Sequence, residues 1–315
     1  MALAFIAPGQ GAQFVGMGME LAKSYPQSRS VFEEVDDALG ENLSDLIWYG
    51  SIEDLTLTEN AQPALMATTL AVFRALQSEG LKLSDAKFVA GHSLGEYSAL
   101  AMAESLSISD AAKLLRIRGR AMQNAVPVGV GAMAAILGLP YSDLVEITKQ
   151  VASNGVCQAA NDNDPSQVVV SGHKGAVERA IEIAKEAGAK RAILLPVSAP
   201  FHSELMAPAS LEMKDALSTI SIIEPTIPLV SNVRAQAVRL PAEIRSLLVE
   251  QVTGVVRWRE SIEWMANNGV TEMLEIGAGR ALSGMVRRIN RSISCASASN
   301  PDEVTKVILS QSEIR

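Results

Sequence analysis

Short apolar runs alternate with longer stretches of helical periodicity along this chain, the pattern of strands joined by helices in an α/β protein. Residues 3–7 predict a buried first strand that ends at Pro8-Gly9-Gln10-Gly11. Residues 61–79 predict a helix, with Asn60 as its cap and Pro63 in the first turn, where a missing N–H is harmless. A second apolar run, 87–90, leads into a glycine-rich turn and a helix-like segment at 96–103. A further helix is expected over 109–125, before Pro127-Val128-Gly129 breaks the pattern.

The alternation then changes. Residues 132–139 read as a strand, 141–152 as a helix, and 156–160 and 167–171 as two strands around a turn-rich 161–165. A helix at 174–187 and a strand at 191–197 complete a β-α-β-β-α-β order, the ferredoxin-like unit. The expected organisation is therefore a large α/β subdomain from 1–127 and 198–315, with a small ferredoxin-like α+β subdomain, 128–197, inserted into it. Three more helices (205–218, 242–252, 257–268) and a strand at 272–276 follow. Gly277-Ala278-Gly279 after that strand reads as a structural turn in preference to a phosphate loop.

Composition narrows the class. The chain has 315 residues, of which 48% are hydrophobic and 4% aromatic, suited to a packed α/β core. A net charge of −8 argues against a nucleic-acid partner and leaves any anionic ligand to local basic patches. Cys157 and Cys295 form neither a metal-binding spacing nor a disulfide framework, which suggests a reducing cytoplasm. The N-terminus has no basic leader and reads as a strand, and no apolar run is long enough to span a bilayer.

The candidate chemistry lies in Gly91-His92-Ser93-Leu94-Gly95. A G-x-S-x-G turn between strand and helix holds a serine hydroxyl at the tip of a sharp bend, next to unpaired helix N–H groups. A serine needs a general base, and histidine is the usual one. The chain has three histidines. His92 adjoins the serine, where neighbouring side chains point apart; His173 reads as a surface or capping residue. His202, in a loop stiffened by Pro196 and Pro200, is the favoured base. No acid between Ser93 and His202 has a distinctive setting, so the group that orients the imidazole is left unnamed.

Arg118 falls in the middle of the apolar stripe of the 109–125 helix, with Arg116, Arg120 and Lys113 assigned to the opposite face. A buried guanidinium needs an anionic partner. A carboxylate of the protein or a carboxylate on the ligand would each serve.

Pro8-Gly9-Gln10-Gly11-Ala12-Gln13, Gly91 to Glu96, Arg116 to Arg120, Pro200-Phe201-His202-Ser203, Gln251-Val252-Thr253 with Val256-Arg257-Trp258, and Glu275-Ile276-Gly277 together closely resemble malonyl-CoA:acyl carrier protein transacylases. The resemblance runs in order over essentially the whole chain. It implies a hydrolase-like α/β body and a ping-pong transfer of malonyl from coenzyme A to the phosphopantetheine thiol of acyl carrier protein, in fatty-acid biosynthesis. Ser93 would be the nucleophile and His202 the base. The N–H groups of Gln10 and Leu94 would form the oxyanion hole, Arg118 would clamp the malonate, and Gln251 would support His202 through its backbone carbonyl. Asn161 matches a site-lining position, and Phe201 is typical of malonyl-selective members. The resemblance implies no metal and no tightly bound cofactor, with malonyl-CoA as substrate, in a monomeric cytoplasmic enzyme. Lys190, Arg191, Arg287, Arg288 and Arg291 are candidates for a basic rim facing coenzyme A phosphates and the acidic carrier protein. A serine thioesterase or esterase would share Ser93 and His202 without needing Arg118, and a catalytically silent module that binds acyl-CoA or carrier protein is the third reading.

Overall fold

The computed structural model describes residues 2–197 and 199–312; Met1, Ser198 and residues 313–315 lie outside it. The expected return point at 198 therefore falls outside the described residues, as do both chain ends of the expected large subdomain. The elements run β1 (Ala2–Ala7), α1 (Met19–Ser24), α2 (Pro26–Leu39), α3 (Leu43–Tyr49), α4 (Ile52–Thr56), α5 (Thr58–Ser78), β2 (Ala86–Gly91), α6 (Gly95–Met102) and α7 (Ile108–Asn124). They continue with β3 (Gly131–Leu137), α8 (Tyr141–Gln150), β4 (Cys157–Asp164), β5 (Gln167–His173), α9 (Lys174–Glu186), β6 (Arg191–Leu194) and α10 (Ala207–Ser218). The last are β7 (Leu229–Val230), β8 (Ala237–Val238), α11 (Pro241–Gln251), α12 (Trp258–Asn267), β9 (Val270–Ile276), α13 (Ala281–Ile289), β10 (Ser294–Ala298) and α14 (Pro301–Ser312).

Two sheets organise these elements. The larger has the order β10-β9-β1-β2-β7-β8, parallel except for the β7–β8 pair. Its central strands read as unbroken apolar runs because both faces are covered. Phe5 and Ala7 of β1 pack into one core with Leu65, Val89 and Leu115, while Ala4 and Ile6 pack into another with Phe88, Trp258 and Val286. The smaller sheet is antiparallel, in the order β4-β5-β3-β6. Ala134 and Ile136 of β3 face α8 and α9, whereas Met133 and Ala135 face the large body. This alternation, period two, lets one thin sheet roof the site below.

Several local expectations change. Helix α5 begins at Thr58, and Asn60 lies inside it, where its amide donates to Asp54 O at 2.9 Å. Pro63 is therefore past the first turn and leaves the carbonyl of Glu59 without its usual i+4 donor. Arg116 Nη1 takes that carbonyl at 2.7 Å, and the same guanidinium pairs with Glu41 and Asn60. Arg116 is thus buried rather than on a solvent face, because α7 packs against the first turn of α5 as well as against the core. Asn161 to Asp164, expected as turn, extend β4. Asn163 bonds His92, Asp162 pairs with Arg259 and Asp164 with Arg288, so side-chain anchors hold extended a segment whose composition favours a turn. Strand β6 stops at Leu194, and the following Leu195, Pro196 and Val197 line the cavity described next. The Gly277–Gly279 turn is structural: Glu275, fully buried, accepts from the N–H groups of Leu282 (3.0 Å) and Ser283 (2.7 Å) and so fills the helix terminus a phosphate would need.

Candidate active site

The bend between β2 and α6 is made by crowding. A Cβ at Gly91 would sit 1.9 Å from the Gly95 carbonyl carbon, and a Cβ at Gly95 would sit 2.4 Å from Ala7 O, so neither position accepts a side chain. Between them Ser93 adopts φ 54°, in the left-handed region that a serine enters only under constraint. The constraint is Asn232, whose Oδ1 accepts from Ser93 N at 2.7 Å and whose Nδ2 donates to Gly91 O at 2.6 Å.

His202 also has a left-handed backbone, φ 57°. Its Nε2 lies 2.8 Å from Ser93 Oγ, across 109 residues of sequence. Nδ1 faces two carbonyl oxygens, Gln251 O at 2.9 Å and Gly254 O at 3.1 Å. Carbonyls only accept, so Nδ1 carries the proton and Nε2 is left to receive the one on Ser93. Among the described residues no carboxylate orients the imidazole; two peptide carbonyls do. Burial, and next the positive charge of Arg118, push the His202 pKa down to about 3, so the ring stays neutral.

Arg118 is 2% exposed. Among the described residues no carboxylate forms an ion pair with it. Its Nη1 donates to Gln62 Oε1 at 2.7 Å, and its Nη2 to Gln251 Oε1 at 2.8 Å and Ser93 Oγ at 3.2 Å. Its Nε is buried without a partner. The open choice between a protein and a ligand carboxylate thus resolves against a direct protein partner. The nearest acid is Glu96, one amide away: Gln251 Nε2 donates to Glu96 Oε2 at 2.5 Å and to Ser93 O at 3.0 Å. Burial raises the Glu96 pKa to about 7 against the lowering effects of Gln251 and Arg118.

Gln10, His92, Ser93, Leu94, Arg118, Asn161, Phe201 and His202 all line one cavity of about 470 Å³. Gln251 is fully buried behind it. The N–H groups of Gln10 and Leu94 have no hydrogen-bond partner among the described residues, as an oxyanion site requires. His92 Nε2 is bound to Asn163 Oδ1 at 2.8 Å, which makes it a packing residue beside Ser93. His173 Nδ1 accepts from Val156 N at 2.9 Å in the small sheet, away from the serine. Asn232, Glu96 and Gln62 were not singled out from the sequence. Asn232 and Gln62 sit in no motif; Glu96 closes the serine motif, which was the one available signal. Among the described residues no cluster of three or more His, Cys, Asp or Glu could hold a metal ion, and no helix is long and apolar enough to cross a membrane.

The fold brings a serine, a histidine and a buried arginine to one cavity, and residues 4–304 match the family described as acyl transferase domain. The chain belongs to that family and, within it, to the malonyl CoA-acyl carrier protein transacylases. It is 47% identical over 307 residues to the malonyl CoA-acyl carrier protein transacylase of Bacillus subtilis (strain 168), covering 97% of this chain and 96% of that protein. The crystal structure of acyl-carrier-protein-S-malonyltransferase from Bartonella henselae matches with a TM-score of 0.96 at 53% identity, over 98% of this chain and 99% of that one. The structure of a type II PKS acyl-carrier protein in complex with its malonyl-transacylase matches with a TM-score of 0.95 at 40% identity, over 98% of this chain and 100% of that one.

The neutral, buried His202 has a consequence for pH. A histidine whose folded pKa lies below its ordinary 6.5 retains its competent neutral form as pH falls through 6.5 and loses it only near the lowered value. The kcat/KM of the enzyme is therefore expected to stay level between about pH 7 and pH 5 and to fall only below that. A profile whose acid limb sits near 6.5 would contradict this environment for the imidazole.

Proposed function

We propose that this enzyme transfers malonyl from coenzyme A to the phosphopantetheine thiol of acyl carrier protein, as a step of fatty-acid biosynthesis. The observation that carries the reading is a serine bound to a neutral imidazole at 2.8 Å, beside a buried guanidinium that has no carboxylate partner among the described residues. In the first half-reaction Ser93 Oγ attacks the malonyl thioester carbon, and its proton passes to His202 Nε2. The oxyanion is held by the N–H groups of Gln10 and Leu94, at the positive end of α6. As the tetrahedral species collapses, the C–S bond breaks, His202 returns the proton to the coenzyme A thiolate, and malonyl-Ser93 remains. In the second half-reaction the carrier protein's thiol gives its proton to His202 and attacks the ester carbon; the C–O bond to Ser93 breaks, and His202 returns the proton to Ser93 Oγ as malonyl leaves on the new thioester.

Arg118 contributes twice. Its planar fork takes the free malonate carboxylate. Burial is the main cause of the depressed His202 pKa and the Arg118 charge the next; the carboxylate neutralises the second, so the correct substrate strengthens the base as it binds. Asn161 and Phe201 shape the cavity wall, with Phe201 leaving little room for a branch on the acyl chain. The large parallel-rich sheet supports a hydrolase-like body, 1–127 and 198–315, and the order β4-β5-β3-β6 supports a ferredoxin-like insertion, 128–197. The reading includes a monomeric cytoplasmic enzyme with no resident cofactor.

A net charge of −8 leaves docking of an acidic carrier protein to local patches. Arg287, Arg288 and Arg291 line a second cavity of about 590 Å³ with Pro165 and Ser166. Asp164 lies at the end of β4, the strand that also carries Asn161 into the active-site cavity. Arg288 is committed to Asp164 at 2.8 Å, so Arg287 and Arg291 are the better docking candidates on this side.

Three outcomes test this reading. Brief exposure to malonyl-CoA, followed by peptide mass spectrometry, is expected to place a malonyl adduct on Ser93, absent in Ser93→Ala. Rapid malonate release independent of carrier protein would instead mark a thioesterase, and absence of any adduct would mark a binding module. Arg118→Ala is expected to lower malonyl transfer by about 2–5 kcal/mol in kcat/KM while acetyl transfer falls far less or rises, since only malonyl loses a charged contact. Equal losses for both acyl groups would remove the clamp. For the rim, Arg287→Glu with Arg291→Glu is expected to raise the KM for carrier protein about tenfold at unchanged kcat; an unchanged KM there and in Lys190→Glu with Arg191→Glu would remove the basic rim.

A further inference from the structure

One face of Arg118 leads back to the oxyanion loop through two side chains that the transfer chemistry does not use. Arg118 Nη1 donates to Gln62 Oε1 at 2.7 Å, Gln62 Nε2 donates to Thr58 Oγ1 at 2.9 Å, and Thr58 Oγ1 donates to Gln10 Oε1 at 2.9 Å. Thr58 is fully buried and Gln62 is 1% exposed. The polarity of the chain is forced from one end. A guanidinium only donates, so the Gln62 amide must turn its oxygen to Arg118 and its NH2 to Thr58. Thr58 oxygen then accepts, and its one proton goes to Gln10. We propose that Thr58 and Gln62 are positioning residues that lock the carboxylate clamp to the oxyanion hole, so that an acyl group held by its carboxylate meets a correctly placed Gln10 N–H.

The backbone supports the same coupling. Thr58 opens α5, and Gln62 lies one turn further along it. Helix α7 presses on this first turn at Gly119, where a Cβ would lie 2.5 Å from Glu59 Cα and 2.7 Å from Thr58 O. The missing side chain next to Arg118 sets how closely the guanidinium approaches Gln62. Gln10 sits in the loop after β1, so the relay ties one sheet strand, α5 and α7 to a single geometry. Loss of Thr58 frees both ends. Gln10 loses its anchor, which affects every acyl group, and Gln62 loses the bond that orients its amide toward Arg118, which affects only acyl groups that carry a carboxylate.

The inference rests on Arg118 as clamp and Gln10 as oxyanion donor, and the test separates the two levels. Rates of Ser93 acylation by malonyl-CoA and by acetyl-CoA are measured by quench and mass spectrometry for the wild type, Thr58→Val, Thr58→Ser, Arg118→Ala and the Thr58→Val, Arg118→Ala double variant. Thr58→Val keeps the shape and removes the hydroxyl. It is expected to slow malonylation by roughly 10- to 100-fold and acetylation by clearly less, with Thr58→Ser close to wild type, because misplacing reacting groups is penalised on this scale. In the Arg118→Ala background, the added effect of Thr58→Val is expected to be the same for both acyl groups, since the malonyl-specific part is already lost. A lowered Tm with unchanged malonylation per folded molecule, or equal losses for both acyl groups in the wild-type background, would overturn the relay while leaving the clamp intact. Failure of the wild type to form malonyl-Ser93 would instead overturn the underlying reading. Should Thr58→Val not fold, Gln62→Met removes both relay bonds at similar volume and is read in the same way.

Discussion

A guanidinium buried among neutral oxygens governs this molecule. Arg118 is taken out of water without a direct counter-ion, a state that carries a desolvation penalty of several kcal/mol unless strong dipoles surround the charge. Gln62 and Gln251 present their amide oxygens from two sides, and the ring of Tyr97 lies 5.8 Å away. Glu96 supplies negative charge at one remove, behind Gln251. The protein thereby leaves the cation solvated by its own groups. That incomplete neutralisation propagates: after burial, it is the next cause that lowers the pKa of His202, and it dictates which way each neighbouring amide turns.

The second constraint is steric. Ser93 and His202 both hold left-handed backbones, which each residue would abandon if released. Asn232 binds the serine turn from below, and the carbonyls of Gln251 and Gly254 bind the imidazole. Local strain is thus balanced by hydrogen bonds from elements far away in the chain. Preorganisation of this kind holds donor and acceptor groups in place before any ligand arrives. The use of peptide carbonyls in place of an acid leaves the ring without a nearby negative charge, so burial keeps it neutral.

The small sheet roofs the site and is tied to the body by ion pairs at the end of one strand. Asp162 with Arg259 and Asp164 with Arg288 join β4 to α12 and α13, and Val256 bridges to Asn161 through the backbone. These anchors convert four residues with turn-like composition into a strand. They also place Asn161 in the cavity and, two residues further along the same strand, Asn163 on His92.

The sequence by itself determined the alternation of strands and helices, the β-α-β-β-α-β order from β3 to β6, the serine at a glycine-flanked bend, and the misfit of Arg118 on an apolar stripe. Each of these is a local pattern, carried by spacing and side-chain type. Tertiary structure alone decided which side chains meet. Arg116 became buried because Pro63 exposes a carbonyl on a helix packed against it, a pairing 57 residues apart that no periodicity encodes. Asn232, Glu96, Gln62 and Thr58 act on the site through hydrogen bonds whose partners are set by chain crossings. Such contacts depend on where two segments come to lie, and hydrophobic patterning constrains faces without specifying the polar groups that will face each other across them.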